Sequence, residues 1–262
     1  MLQGKIAVTT ARNATGSAAI LQAQVWARQL GAEYIERPHN AGVPELLECY
    51  GLAALVVGEN GGPRIHSAAG SFAYHPGMAV LRLQQLKRGA TEHLVPALGL
   101  VPGARVLDAT LGLAADAAIS SYIVGSGGTV VGLEASPLLH FVVSWGVAHY
   151  VSADADLTAA LRRVQTVQAV AADYLAKCAP GSFDVIYFDP MFRHPVQGSK
   201  GMEALRPLSY EAPLDARTLK LALAISPRVV IKERSEYILR SLGCSEFVGG
   251  KYSRVKYGII HR

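Results

Sequence analysis

The sequence has little charge, few cysteines and no long apolar run. Charged residues are 17% of the 262 residues and hydrophobic residues are half, so the chain can bury a sizeable core and is not disordered. The three cysteines, Cys49, Cys178 and Cys244, are far apart, and we expect neither a disulfide framework nor a metal site. No stretch reaches the roughly 18 apolar residues of a membrane span. No signal-peptide segment is visible either, so we expect a cytoplasmic protein.

The balance of charge is mildly basic. The formal net charge is +5 and the isoelectric point is about 9.1. This charge permits an anionic partner such as nucleic acid but does not require one. The oligomeric state is not predicted by any feature of the sequence.

Segments typical of strands and helices alternate along the whole chain. Residues 1–75 predict a small α/β module, with strands at 5–10, 32–38 and 52–62, helices at 16–31 and 44–51, and an irregular hairpin at 64–77. A broken helical stretch follows at 78–100. A second alternation then predicts strands at 105–109, 129–135, 167–172, 184–190 and 228–233, and helices at 113–124, 137–149, 155–163 and 215–225. We therefore expect an α/β fold in which residues 76–262 form a doubly wound, mostly parallel sheet.

Four consecutive predicted strands of this second part end at or beside an acid. The acids are Asp108, Glu134, Asp173 and Asp189. A single acid at a strand end is as typical of a helix N-cap as of a ligand site. Open α/β sheets bind their ligands beyond the carboxyl ends of the strands, however, so four acids in order indicate a binding site there.

The first loop helps to distinguish between nucleotide cofactors. Gly112 allows a tight turn, and an acid about 20 residues later, Glu134, suits the two hydroxyls of a ribose. The stretch "GLAAD" lacks the G-x-G-x-x-G pattern of dinucleotide sites, and Asp116 in the first helical turn would repel a pyrophosphate. S-adenosylmethionine carries a sulfonium and an ammonium group instead of phosphates. The acids therefore favour this methyl donor over a nicotinamide dinucleotide.

The stretch "VIYFDPMF", residues 185–192, ends a buried-type strand on an acid, a proline and an aromatic residue. Read alone, it is equally consistent with a plain turn. Next to the other acids, it predicts that Asp189 and the Pro190 carbonyl accept the two N–H groups of an amine, with Phe192 stacking on a planar ring. We therefore predict Asp189, Pro190 and Phe192 as catalytic residues.

These motifs together resemble a known family. The stretches "DATLGLAADA", "LEASP", "AADYL" and "YFDPMF" are similar to those of class I S-adenosylmethionine-dependent methyltransferases. More narrowly, residues 70–260 resemble the RsmJ-like family, which methylates the exocyclic N2 of a guanine in small-subunit ribosomal RNA. The resemblance implies a seven-stranded Rossmann-like methyltransferase sheet, S-adenosylmethionine as cofactor and ribosomal RNA or the small ribosomal subunit as partner.

The same resemblance implies positions for the cofactor. Ala115 and Asp116 fall in the glycine loop, Glu134 and Ala135 at the ribose, Ala172 and Asp173 at the adenine, and Asp189 at the catalytic edge. With Asp108 and Gly112 from the strand-end pattern, these residues form the predicted cofactor site. Basic residues that we expect to hold RNA phosphates flank the site: Arg82, Lys87, Arg88, Arg193, His194 and Lys200.

The sequence departs from the family pattern at three places, one of which is Ala115, where the family typically has a basic residue. Ala114 stands where the family has a second glycine, which we expect to be tolerated if its φ angle is negative. The stretch "RHPVQGSKG" after Phe192 differs from the more basic loop of the family. A methyltransferase acting on a protein or a small molecule, and a non-catalytic RNA-binding module, are therefore alternatives at this point.

Overall fold

The computed structural model describes residues 4–14, 16–59, 62–190, 213–250, 253 and 255–262. Two compact units contain these residues. The first unit comprises the described residues up to 75 together with 136–146, and the second comprises the described residues of 76–135 and from 147 onward. The division into domains 1–75 and 76–262 stays a prediction.

The first unit contains a five-stranded sheet with the order β2-β1-β3-β4-β5. Strands β1, β2 and β3 are parallel, whereas β4 and β5 continue as an antiparallel meander. The elements are β1 (Lys5–Thr10), α1 (Ser17–Leu30), β2 (Glu33–Tyr34), α2 (Val43–Cys49), β3 (Leu52–Glu59), β4 (Gly62–Ser67) and β5 (Gly70–Ala73). The predicted second strand is thus reduced to two paired residues.

The second unit is built on a seven-stranded sheet, and its helices begin with α3 (Ala79–Lys87) and α4 (Leu94–Leu98). The strands are β6 (Arg105–Asp108), β7 (Thr129–Glu134), β8 (Val164–Gln168), β9 (Val185–Phe188), β10 (Arg228–Glu233), β11 (Glu246–Val248) and β12 (Lys256–His261). The remaining helices are α5 (Ala115–Val124), α7 (Ala155–Arg163), α8 (Ala171–Leu175), α9 (Ala216–Ile225) and α10 (Glu236–Ser241). Helix α6 (Pro137–His149) follows β7 in the chain, and its residues up to 146 belong to the first unit.

The order of this sheet is β11-β12-β10-β9-β6-β7-β8. Strands β6 to β10 are parallel, and β12 pairs antiparallel with both β10 and β11. The predicted α/β fold with a mostly parallel seven-stranded sheet is confirmed. The chain moves from β6 outward through β7 and β8, then returns to place β9 on the other side of β6. The gap between β6 and β9 is therefore the topological switch point, where folds of this kind bind ligands.

The apolar strands explain the layered architecture. Leu107, Ile186 and Ile231 share one buried face of the sheet with residues of α9 and α10. Their neighbours Val106 and Val185 are also buried and, because side chains alternate along a strand, point to the other face. Burial on both faces is what the nearly continuous apolar runs of these strands require.

One strand lies earlier in the chain than predicted. The register pairs Glu134 of β7 with Gln168 of β8, so β8 has no neighbour to pair with beyond Gln168. The alanine-rich stretch that follows then forms the short helix α8, since alanine favours helix. Ala172 and Asp173 consequently lie on a helix and not on a strand.

Candidate active site

Two hydrogen bonds join the loop after β6 to β9 and to the turn that follows it. The Ala109 amide donates to the Tyr187 carbonyl (2.8 Å), and the Asp189 amide donates to the Thr110 hydroxyl (2.6 Å). Pro190 has no amide hydrogen with which to extend a ladder, so the strand has to stop here. The Thr110 hydroxyl replaces the next ladder bond and fixes Asp189 at the switch point.

The loop after β6 also lies across the end of β7. The Leu111 amide donates to the Leu133 carbonyl (2.8 Å), and the Leu111 side chain lies over Gly132, where a Cβ would be 2.3 Å from Leu111 Cδ1. Gly132 therefore gives the loop its close approach to the strand. Glu134, which ends β7, is only 8% exposed. The carboxyl ends of β6, β7 and β9 thus form one connected edge.

The loop between β6 and α5 turns through two residues with positive φ. Gly112 has φ +50°, and Ala114, which is fully buried, has φ +59° and ψ +22°. The condition under which we expected a methyl group to be tolerated at Ala114, a negative φ, is therefore not met. The left-handed conformation costs about 1–2 kcal/mol for a residue with a Cβ, which gives a physical reason for the glycine of the family pattern.

This strain predicts different effects for two alanine-to-glycine substitutions in α5 and its cap. Ala114→Gly relieves the positive-φ strain, and we expect a free energy of unfolding within about 1 kcal/mol of the wild type. Ala118 is equally buried but lies inside the helix. We expect Ala118→Gly to cost about 1–2 kcal/mol, since glycine disfavours helix and the methyl group is lost. Urea unfolding measures both, and equal losses would contradict the strain at Ala114.

A buried ionic network lies beneath this edge. Asp116, in the first turn of α5, accepts hydrogen bonds from Arg82 and from the Tyr187 hydroxyl (2.8 Å), and its Oδ2 is 3.2 Å from Lys232 Nζ. Burial alone would raise the pKa of Asp116, but the charges of Lys232 and Arg82 outweigh it and lower the pKa to about 2. Asp116 is therefore an ionised carboxylate whose oxygens are occupied inside the protein.

Lys232 joins this network to the predicted catalytic acid. Its Nζ donates to Asp189 Oδ2 at 2.8 Å, and the two side chains are 18% and 27% exposed, respectively. Burial, opposed by Lys232 and reinforced by the charge of Asp116, raises the pKa of Asp189 to about 6. Asp189 is thus mostly a carboxylate at neutral pH but can take up a proton slightly below it.

Asp108, which ends β6, has a different ionisation state. It is 2% exposed, and burial together with the charge of Asp116 raises its pKa from the usual value near 3.8 to about 8. One of its oxygens accepts the Thr110 amide hydrogen (3.1 Å). Asp108 is therefore mainly a neutral acid at pH 7, which makes it unsuited to attract a cation through its charge.

The protonated state of Asp108 predicts a pH dependence of stability. Between pH 3.8 and about pH 8 the folded protein holds one more proton here than the unfolded chain, so stability falls as the pH rises. From pH 6 to 8 this amounts to about 2 kcal/mol. We expect Asp108→Asn to remove this part of the slope in denaturant titrations. Asp184→Asn, an exposed control whose pKa is lowered by Arg105, should leave the slope unchanged.

The other predicted cofactor residues also lie in the second unit and differ in solvent exposure. Ala115 and Ala135 are half-buried beside the ends of their elements, as is Ala172 on α8. Asp173 is exposed in the first turn of α8. Glu134 is therefore the buried acid of the β7–β8 side of the site.

The predicted phosphate-binding residues have different surroundings. Arg82 is committed inward, because its guanidinium bonds to Asp116 and, at 3.0 Å, to both oxygens of Glu92. Lys87 is held by Asp154 and Asp156 at 2.7 and 2.6 Å, whereas Arg88 is exposed at the end of α3. Phe192, Arg193, His194 and Lys200 lie outside the described residues.

Two residues of the site were not anticipated from the sequence. Lys232 interrupts the apolar strand "RVVIKE", and a charged residue in a buried strand was the signal available for it. Thr110 gave no such signal, since its role depends on a hydroxyl contact with a residue 79 positions away.

Among the described residues, no group of three His, Cys, Asp or Glu side chains is placed to hold a metal.

Comparison with known proteins identifies the family. A family model described as "Putative SAM-dependent methyltransferase" matches residues 71–254. The chain belongs to this family. It is an S-adenosylmethionine-dependent methyltransferase, and the sequence-based prediction of enzyme class and cofactor is confirmed.

In the described part of the chain, no helix is long and apolar enough to cross a membrane.

Relatives of this methyltransferase include proteins with and without a named reaction. The protein YpiP of Bacillus subtilis is 32% identical over 212 residues, which are 81% of this chain and 82% of the relative. The ribosomal RNA small subunit methyltransferase J of Thioalkalivibrio sulfidiphilus is 31% identical over 206 residues, covering 74% and 76% of the two chains. The enzyme of the same name from Stutzerimonas stutzeri is 33% identical over 164 residues, or 59% and 60%.

A solved structure has the same fold. The S-adenosylmethionine-dependent methyltransferase NGO1261 from Neisseria gonorrhoeae superposes with a TM-score of 0.66 over 97% of this chain and 95% of its own, at 17% identity. At this identity the similarity extends to the fold alone.

The groups at the carboxyl edge fit S-adenosylmethionine better than a dinucleotide. The ionised Asp116 stands in the first turn of α5, where a pyrophosphate would otherwise bind the helix N-terminus. The buried carboxylate side chain of Glu134 is suited to ribose hydroxyl donors. The neighbouring Arg82 and Lys232 are both paired with acids of the protein. The donor set of this edge therefore suits a nucleoside that carries a cation and no phosphate.

Proposed function

We propose that this methyltransferase transfers the methyl group to the exocyclic amine of a guanine in small-subunit ribosomal RNA. The observation that carries the proposal is the position of Asp189, a carboxylate fixed at the switch point by Thr110 and Lys232 and followed by Pro190. Two relatives at 31% and 33% identity are named ribosomal RNA small subunit methyltransferase J. Ribosomal RNA as substrate would place the enzyme in the cytoplasm.

In this proposal, residues at the ends of β6, β7 and β8 would hold the cofactor. Glu134 accepts hydrogen bonds from the ribose hydroxyls, with Ala135 beside it, and Ala172 and Asp173 border the adenine. Gly112 and Ala115 face the methionine part through the backbone of their loop. Asp116 and Asp108 support that loop and do not contact the cofactor in this proposal. The oxygens of Asp116 are occupied by donors of the protein, and Asp108 is neutral.

The chemistry follows from the weak nucleophilicity of a base amine, whose lone pair is delocalised into the ring. When bound, S-adenosylmethionine supplies a methyl group on a sulfonium, a good leaving group. Asp189 accepts one N–H of the amine and the Pro190 carbonyl accepts the other, which localises the lone pair and aims it. Asp189 would take up the proton that the nitrogen loses on methylation, and its pKa of about 6 suits this role.

The substrate side of the proposal relies on basic residues and a stacking ring. Arg88 is exposed and suited to a phosphate, whereas Arg82 serves the internal network and Lys87 would have to exchange its two acid partners. Phe192, Arg193, His194 and Lys200 complete the proposed surface from outside the described residues. The proposal assigns this work to residues 76–262 and leaves residues 1–75 as an accessory module.

Transfer of a radioactive methyl group tests the substrate class. The purified protein is incubated with tritiated S-adenosylmethionine and with total RNA or protein extract from a strain that lacks its gene. We expect the label in the small-subunit ribosomal RNA. Label found in protein or in small molecules, with unlabelled RNA, would contradict the proposal.

A further inference from the structure

Lys232 occupies a position that connects two acids of the site. Ile231, which precedes it on β10, pairs with Phe188, which precedes Asp189 on β9. This register places the lysine beside the acid at the ends of two adjacent strands. Its Nζ lies 2.8 Å from Asp189 Oδ2 and 3.2 Å from Asp116 Oδ2. The contact with Asp189 therefore follows from the pairing of the strands and not from a flexible surface side chain.

We infer that Lys232 is a positioning residue for methyl transfer, which fixes Asp189 by one oxygen and keeps it ionised to receive the substrate amine. The inference rests on the proposed role of Asp189. Nζ donates to Oδ2, so the carboxylate is held in one orientation with Oδ1 on its other side. The Asp189 side chain is 27% exposed, so a substrate can reach this carboxylate.

The charges around Asp189 make Lys232 its dominant partner. Asp116 on α5 and Asp108 on β6 face the same space, with Tyr187 on β9 and Tyr257 on β12. Arg82 on α3 contributes a second positive charge, which is paired with Asp116 and Glu92. Of these two cations, both in the described part of the chain, only Lys232 forms an ion pair with Asp189. Without Lys232, burial and the negative charge of Asp116 would raise the pKa of Asp189 further.

Lys232 does not act as the base itself. The charges of Asp116 and Asp189 outweigh its burial and raise its pKa above the usual value for lysine. The ammonium group therefore keeps its proton while Asp189 takes up and releases the proton from the substrate. This division of roles predicts that arginine, which is also always charged, retains much of the function at position 232.

The pKa of Asp189 can be measured directly without cofactor or substrate. The full-length protein is labelled with ¹³C at the aspartate carboxyl carbons, and the Asp189 signal is assigned from its loss in Asp189→Asn. We expect a wild-type midpoint of about 6. In Lys232→Met the midpoint should rise by about 1–3 pH units, the usual effect of an opposite charge at this distance. In Lys232→Arg it should stay near the wild-type value.

Arg82→Met is the matched control. This substitution also removes a buried cation from the network, but the guanidinium bonds to Asp116 and Glu92 and not to Asp189. We expect the Asp189 midpoint to move less than half as far as in Lys232→Met. An equal movement in the two variants, or no movement in Lys232→Met, would overturn the inference. If Lys232→Met does not fold, Lys232→Gln, which keeps a donor and removes the charge, carries the same expectation.

A second readout tests the link to catalysis. In Lys232→Met, the acid limb of the pH–rate profile should shift to higher pH, as the Asp189 midpoint does. The Kd for S-adenosylhomocysteine should change less than about threefold. A rate that falls equally at every pH would assign Lys232 a structural role only. Because the titration needs no substrate, it succeeds or fails independently of whether the substrate is ribosomal RNA.

Discussion

Asp189→Asn is expected to lower the rate of methyl transfer by at least about 100-fold, the lower end of the usual contribution of a positioned proton acceptor. Asparagine keeps the size of the side chain but presents an amide that cannot take up the proton of the methylated nitrogen. Its loss of charge also removes one of the two acid partners of Lys232 and leaves Asp116 as the other. Initial rates at pH 7.5, where the pKa of about 6 leaves Asp189 ionised, measure the effect.

The control for this experiment lies at the other end of the same strand. Asp184 directly precedes β9 and pairs with Arg105 at the surface, far from the carboxyl edge along the strand. Asp184→Asn should keep its rate within about threefold of the wild type. The Kd of Asp189→Asn for S-adenosylmethionine should also change by less than about fivefold. A variant at position 189 that keeps its rate would remove this acid from the mechanism.

Glu134→Ala is expected to weaken the binding of S-adenosylhomocysteine by at least about 100-fold. Each hydrogen bond to a charged acceptor contributes about 1.5–3 kcal/mol, and the carboxylate is proposed to accept from two ribose hydroxyls. A 100-fold change in Kd corresponds to about 2.7 kcal/mol. Isothermal titration calorimetry measures it, and Glu134→Gln, which keeps the shape but not the charge, should lie between the variant and the wild type.

Glu233 provides the matched control, because it is the glutamate that ends β10 of the same sheet. Its carboxylate accepts the amide hydrogens of Arg234 and Ser235 at the start of the following segment. Glu233→Ala should change the Kd by less than about threefold. Equal losses of affinity in the two glutamate variants would show that Glu134 supports the sheet and does not bind the ribose.

The sequence predicted the parts of the fold that depend on local patterns. The apolar runs that became β6, β7 and β9 are buried on both faces, and their pattern alone indicated a parallel sheet. The end of β8 was misplaced, because it depends on where its neighbour β7 stops and not on its own residues. The positive φ of Ala114 was likewise not predictable from the sequence, since alanine disfavours that conformation.

The sequence predicted which acids lie at the site but not the ion pairs that they form. Strand ends located Asp108, Glu134 and Asp189, because the carboxyl ends of parallel strands meet at one edge. The ion pairs that set their charge were not predictable, since Asp116 meets Lys232 across 116 positions of sequence. For this reason Arg82 was predicted to hold phosphate, whereas the fold gives it two internal acids as partners.

The chemical identity of the methylated atom tests the account most directly. Small-subunit ribosomal RNA from a strain lacking the gene is incubated with the protein and deuterated S-adenosylmethionine, digested to nucleosides and examined by mass spectrometry. We expect one labelled nucleoside, a guanosine methylated on its exocyclic nitrogen, which Asp189→Asn does not form. A label on a ribose oxygen or a ring carbon, or an equal yield with Asp189→Asn, would contradict the account.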